Sequence, residues 1–136
     1  EARLRRLARE LGVADRVRWI TEEVGEEALL DLYAGARLVI VAAAGEDLGY
    51  VPLEAFLSGK AVLTTEDAGG PLEFVTDGET GFVVPARPET LGAALRLAWE
   101  RPDALARLGE KGRQRASALS WDRTVAALLG AAGISL

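Results

Sequence analysis

Short apolar runs alternate with stretches of helical period through the first 85 residues, and few folds accept that order. Residues 17–20, 38–41, 60–64 and 82–84 read as strands, the second of them near-continuously apolar. Between them, Leu29, Leu30 and Tyr33 recur at helical spacing within 26–34. A further helix is predicted over about 51–58, which Pro52 helps to start and Gly59 ends. Strands separated by helices cannot close as hairpins; they need crossovers, which are right-handed. The expected fold class is α/β: a Rossmann-like parallel sheet of about four or more strands flanked by helices. Residues 2–11 add an amphipathic helix closed by Gly12, with Leu4, Leu7 and Leu11 expected to turn inward. The chain from Pro88 onward reads as a helical C-terminal third, over about 88–100, 102–117 and 121–132. Pro102 starts the second of these helices and Ser120 suits the N-cap of the third.

The topology has a functional consequence, because open parallel sheets collect ligands at the carboxyl ends of their strands. Thr21-Glu22-Glu23 follows the first expected strand, Gly45-Glu46-Asp47 the second, and Thr65-Glu66-Asp67-Ala68-Gly69-Gly70 the third. All three polar loops are therefore expected on one edge. The richest stretch there is Glu46-Asp47-Leu48-Gly49-Tyr50-Val51-Pro52-Leu53-Glu54, with one carboxylate after a strand and another in the opening turn of a helix. A strand, a glycine-containing loop and a helix start form a place to hold an anion. Carboxylates on either side of it accept hydrogen bonds from sugar hydroxyls, so the combination points to a phosphorylated sugar. Each residue also has a plainer explanation. Glu54 at the third helical position reaches back to the cap N–H, Glu46 is a solvated loop carboxylate, and Gly49, Gly69 and Gly70 serve tight turns.

Composition removes several classes. At 136 residues the chain is one domain with no internal boundary, and its formal charge of −5 argues against nucleic acid as a partner. Cysteine and histidine are absent, which excludes disulfides, thiolate zinc sites, cysteine nucleophiles and imidazole proton transfer. The longest apolar stretch, residues 38–44, is too short to span a membrane, and no membrane contact is indicated. The four early arginines, Arg3, Arg5, Arg6 and Arg9, read as a solvated helix face, and Trp19 and Trp99 as core. Because Glu1 is not an initiator methionine and opens a charged helix, a fragment of a longer, cytoplasmic protein is expected.

The stretch from Glu46 to Ala55 resembles the Glu-x7-Glu motif of the retaining, nucleotide-sugar-dependent group 1 glycosyltransferases, which have two Rossmann-like domains in the GT-B arrangement. The resemblance covers essentially the whole chain. The stretch from Leu11-Gly12 through Val17-Arg18-Trp19-Ile20 is similar to the family's entry into a strand, and residues 29–39 resemble its Leu-x-x-Leu-Tyr-x-x-Ala-x-Leu-Val segment. Ser58-Gly59-Lys60-Ala61-Val62, Gly69-Gly70-Pro71-Leu72-Glu73-Phe74-Val75, Asp77-Gly78-Glu79-Thr80-Gly81 and Ser120-Trp121 follow in family order.

The resemblance implies a single donor-nucleotide-sugar-binding domain over 1–136, incomplete because the acceptor-binding N-terminal domain and the upstream segment with the phosphate-binding Arg and Lys are missing. It implies that Glu54 accepts from ribose hydroxyls, and that Glu46 contacts the donor sugar near its reacting carbon as the catalytic residue. The N–H groups of Leu48, Gly49 and Tyr50 would face sugar and diphosphate, with Gly69 and Gly70 beside them and Thr21 where the nucleobase lies. No metal and no cofactor are expected, only the nucleotide diphosphate sugar as substrate; the chain has no Asp-x-Asp. Oriented N–H groups would stabilise the leaving diphosphate in place of a divalent ion. Departures from the family pattern are Asp47 for Gly, Leu48 for Phe, Ala61 for Pro and Thr21 for Gly. Taken alone, the chain is expected not to turn over, and the final helix, with Leu128 and Leu129 exposed, is expected to favour self-association. Two alternatives stand beside this reading: a non-catalytic half completed by a separate acceptor-domain subunit, and a same-fold sugar-nucleotide epimerase, which ordinarily needs the histidine absent here.

Overall fold

A computed structural model describes residues 1–131 and residue 133. The helices are α1 (Ala2–Glu10), α2 (Glu26–Gly35), α3 (Val51–Leu57), α4 (Pro88–Glu100), α5 (Pro102–Ser117) and α6 (Trp121–Ala131), with short 3-10 turns at Ala14–Arg16 and Gly70–Glu73. The strands are β1 (Leu38–Val41), β2 (Ala61–Thr65) and β3 (Gly81–Val84), all parallel, in spatial order β1-β2-β3. Leu38 lies beside Ala61, and Val62 beside Gly81. No helix among the described residues is long and apolar enough to cross a membrane.

Every residue of the central strand β2 is buried, so its side chains serve two cores in alternation. On one face Val62 packs with Tyr33, Ala55, Phe56, Val75 and Ala116. On the other, Ala61 packs with Ala98 and Leu105, backed by Leu38, Phe82 and Leu108. Helices therefore cover both faces, as a parallel sheet requires. Buried polar atoms are tied up locally: the Thr64 hydroxyl donates to the Val41 carbonyl (2.7 Å), joining β2 to the end of β1. Lys60, just before β2, donates from Nζ to the Ala34 carbonyl (2.9 Å) at the end of α2, where a cation also suits the helix dipole. In the Asp77–Gly81 turn, Asp77 Oδ1 accepts from the Val83 N–H (3.0 Å) and Thr80 Oγ1 from the Thr76 N–H (2.9 Å). That family-like stretch thus has a structural use.

The structure departs from the sequence-based expectations in four places. The sheet has three strands among the described residues, not four. Val17 is extended (φ −109°, ψ 114°), yet residues 17–20 have no ladder partner, and an extended segment without one is not a strand. Leu4, Leu7 and Leu11 face outward (47–65% exposed), because α1 packs on little beyond the 3-10 turn that follows it, and of its residues Ala8 alone is buried. After the Asp67-Ala68-Gly69-Gly70-Pro71 loop the sequence also suggests a short helix around Leu72 to Val75; the structure has instead the 3-10 turn at Gly70–Glu73. Trp99 is not core but 69% exposed, its ring under the Arg37 guanidinium at 4.4 Å. Ser120 does cap α6, its Oγ accepting from the Arg123 N–H (3.3 Å). No residue of α6 is buried; Leu128 is exposed and Leu129 partly so.

Candidate functional site

Parallel pairing puts the carboxyl ends of β1 and β2 side by side, and the loops that leave them remain zipped together. The Gly45 N–H donates to the Asp67 carbonyl (2.8 Å), the Glu46 N–H to the Ala68 carbonyl (2.9 Å), and the Gly70 N–H to the Glu46 carbonyl (2.7 Å). Glu46 and Gly69 thereby form an isolated parallel bridge beyond the sheet. The backbone of Glu46 is held on both sides while its carboxylate stays exposed. A fixed backbone beneath a free acid is what a directed contact to a ligand needs.

The two glycines opposite are what allow this approach. Gly69 sits at φ 79°, ψ −128°, and a Cβ there would lie 2.5 Å from the Glu46 carbonyl oxygen. A Cβ on Gly70 would overlap the backbone of Asp47 and Leu48. Gly69 and Gly70 therefore back the Glu46 loop, which is a use beyond a tight turn. Gly49, at φ +69°, lies against both the Glu46 side chain and Pro71; a Cβ there would be 3.1 Å from Glu46 Cγ. Leu48 and Tyr50 are exposed, and the N–H groups of Leu48, Gly49 and Tyr50 meet no acceptor among the described residues.

Helix α3 begins directly after this loop, with Tyr50 as N-cap and Pro52 in its first turn. Glu54 lies one position deeper than expected, and no side chain caps the helix. The capping explanation of Glu54 is thus overturned: its Oε2 instead accepts a hydrogen bond from the hydroxyl of Tyr33, 2.7 Å away across the gap to α2. Tyr33 is 8% exposed, while Glu54 is exposed. Burial first, then the bond to Glu54 and its negative charge, push the Tyr33 hydroxyl from 10.0 up to about 12. A raised phenol pKa means that the stabilisation is complete below about pH 10 and is lost as pH rises from there towards 12. Comparing the pH dependence of urea unfolding for Tyr33→Phe and the unaltered chain checks this. The variant is expected to lose less stability over that window, and coincident slopes would mean that the bond is not made.

Tyr33 is the residue that sequence reasoning missed. Its spacing with Leu29 and Leu30 marks it as an apolar position of α2; the signals beyond that are its place in the family-like 29–39 segment and a hydroxyl that an apolar site does not require. Thr21 is exposed in the segment before α2, and no hydrogen bond among the described residues ties it to Glu46 or Glu54. A cleft of about 230 Å³, lined in part by Ala42, Thr65, Asp67 and Arg87, opens over the carboxyl ends of the strands. A more enclosed cavity of about 290 Å³ lies between α4 and α5 near Gly78 and Phe82, and none of the residues above line it.

Comparison with known proteins settles the family. The family described as "Glycosyl transferases group 1" matches residues 1–115. The chain belongs to the group 1 glycosyltransferases. Its Rossmann-like α/β fold is that of the GT-B members of this family. A D-inositol 3-phosphate glycosyltransferase of Streptomyces scabiei is 35% identical over 125 residues, and another of Gordonia bronchialis 37% over 126. These alignments cover 91% and 90% of this chain but 28% and 27% of the relatives, so the chain spans little more than a quarter of their length. Among solved structures, sucrose-phosphate synthase from Thermosynechococcus elongatus superposes with a TM-score of 0.82 at 29% identity, over 95% of this chain and 32% of that one. HepE of Anabaena, in complex with UDP and glucose, gives 0.82 at 26% identity, over 96% and 36%.

Proposed function

We propose that this group 1 domain binds the donor of a retaining glycosyltransferase, which moves a sugar from a nucleotide diphosphate sugar to an acceptor hydroxyl. The observation that carries the reading is the Glu46–Gly69 bridge: it holds Glu46 rigidly at the strand-carboxyl edge, and Glu54 follows at the start of the next helix. In this reading Glu54 accepts from the ribose hydroxyls. Glu46 lies by the donor sugar, where its charge offsets the positive charge that grows at the reacting carbon as the diphosphate departs. The free N–H groups of Leu48, Gly49 and Tyr50 face the leaving phosphates, a task done here without a divalent ion. Gly69 and Gly70 keep that surface in place, and Thr21 lies towards the base. The complex of HepE with UDP and glucose, at 26% identity, makes a UDP-sugar the first donor to try.

The same geometry accounts for the incompleteness of the site. Residues 42–54 and 65–75 contain no Lys or Arg and carry several carboxylates, so beyond Arg87, which lines the neighbouring cleft, this surface offers a diphosphate little positive charge. Cations and the acceptor-binding domain are proposed to come from the part of the relatives' length that this chain does not span.

Free UDP or GDP is accordingly expected to bind the 136-residue chain weakly, at about −4 to −5 kcal/mol, in the high-micromolar to millimolar range. Titration followed by NMR should shift resonances of residues 46–54 and of the loop after β2. Shifts confined to the helices after Pro88 would overturn the assignment. Titrating UDP-, GDP- and ADP-sugars in parallel identifies the base.

A further inference from the structure

We infer that Tyr33 is a positioning residue for the donor nucleotide: its hydroxyl holds one oxygen of Glu54 so that the carboxylate is presented to the ribose in a single orientation. The inference rests on the proposed role of Glu54 and adds a residue outside the Glu-x7-Glu stretch to it.

Three observations combine. The Tyr33 ring belongs to the core cluster with Ala55, Phe56, Val62, Val75 and Ala116 and is 8% exposed, so the hydroxyl is mounted on an immobile base. That hydroxyl donates to Glu54 Oε2 at 2.7 Å, a charge-assisted bond, and Glu54 makes no other side-chain hydrogen bond among the described residues. Oε1 is thereby left as a free acceptor with both its lone pairs, and Oε2 keeps one. Finally, Glu54 is exposed, and an exposed glutamate samples several rotamers that binding must freeze. A donor fixed in the core removes part of that cost before the ligand arrives.

Core packing does not ask for the hydroxyl. A phenylalanine would fill the same place, and a phenol oxygen near the core costs free energy unless it is bonded. Among the described residues, no residue of α2 other than Tyr33 hydrogen-bonds to α3 or to the Glu46 loop. The bond thus joins the end of one helix to the functional turn of the next.

The test is a double-mutant cycle in the 136-residue chain with Tyr33→Phe, Glu54→Gln and both together. The probes are the tightest-binding of UDP, GDP and ADP and its 2′,3′-dideoxy counterpart, with affinities from NMR titration and folding checked by thermal melting. Tyr33→Phe keeps the ring in the core and is expected to fold. It should weaken the ribonucleotide about 3- to 10-fold, the size of one net hydrogen bond, and leave the dideoxynucleotide unchanged. In the Glu54→Gln background its effect should shrink to less than about 2-fold, because neighbours that act through one another are not additive. If Glu54→Gln lowers ribonucleotide affinity selectively while Tyr33→Phe does not, the inference fails and the role of Glu54 survives. If Tyr33→Phe weakens both nucleotides equally, with or without Glu54, Tyr33 acts through the fold and the inference is likewise overturned. If Glu54→Gln itself fails to separate ribo- from dideoxynucleotide, the ribose role of Glu54 falls, and the inference with it.

Discussion

Glu46→Gln in an enzyme that carries this domain with its acceptor half is expected to cut sugar transfer by about 100-fold or more while leaving affinity for free nucleotide nearly unchanged. The reason is position. Glu46 is bridged to Gly69 by its backbone, so a glutamine there keeps the loop and the shape, and only the negative charge is lost. In the proposed reading that charge acts when the sugar carbon becomes electron-poor, not when the nucleotide docks. Glu54→Gln is expected to do the opposite and weaken donor and free nucleotide alike by about 10-fold or more, since a charge-assisted hydrogen bond contributes about 1.5–3 kcal/mol. Steady-state kinetics and nucleotide affinity for both variants decide the matter. Small, equal effects on both quantities would show that the two carboxylates are ordinary surface acids.

Phe56→Ala should be the most damaging single change to the fold, at a cost of about 3–5 kcal/mol out of the roughly 5–15 kcal/mol that a domain of this kind has. Phe56 is fully buried in α3, in the cluster with Tyr33, Val62, Val75 and Ala116. Gly112 of α5 lies directly against its ring, with no room for a Cβ, so the two helices meet at contact distance and leave little slack for collapse around a void. The measurement is the midpoint of urea unfolding at unchanged slope. Gly112→Ala is the companion variant: it presses on the same ring from the other side and should cost about 1–3 kcal/mol by overpacking. Because Glu54 lies two residues before Phe56 on the same short helix, Phe56→Ala is also expected to lower nucleotide affinity, in proportion to the unfolded fraction. A loss below about 1 kcal/mol would mean that the ring is replaceable and that the contact with α5 does not hold α3 in place.

Much of this architecture could be read from the residues alone. The helices at Pro88–Glu100 and Pro102–Ser117 lie where helical period and the two prolines put them, and β1, β2 and β3 lie within a residue of the apolar runs that announced them. The Glu46 and Glu54 carboxylates, the glycines near them and their place at one sheet edge were also legible, because parallel crossovers leave no other edge for those loops. Such features depend on interactions within a few residues along the chain, and local sequence encodes those.

What the sequence left open was decided by partners far away in the chain. Residues 17–20 have strand composition, and Val17 is extended, but they have no strand to pair with among the described residues. Leu4, Leu7 and Leu11 have the right period for a buried face, but they stay 47–65% exposed because little packs over α1 among the described residues. Trp99, large and apolar, found a cation at the surface instead of the core. The bridge from Glu46 to Gly69 and the hydroxyl of Tyr33 on Glu54 join residues more than twenty positions apart, and no spacing announces either of them. Sequence by itself determined the order of elements and the residues offered at the carboxyl edge of the sheet, since propensity and periodicity are local. Tertiary structure alone decided which apolar faces were covered and which groups hold the two carboxylates, since burial and hydrogen bonding need a second surface that local pattern does not specify.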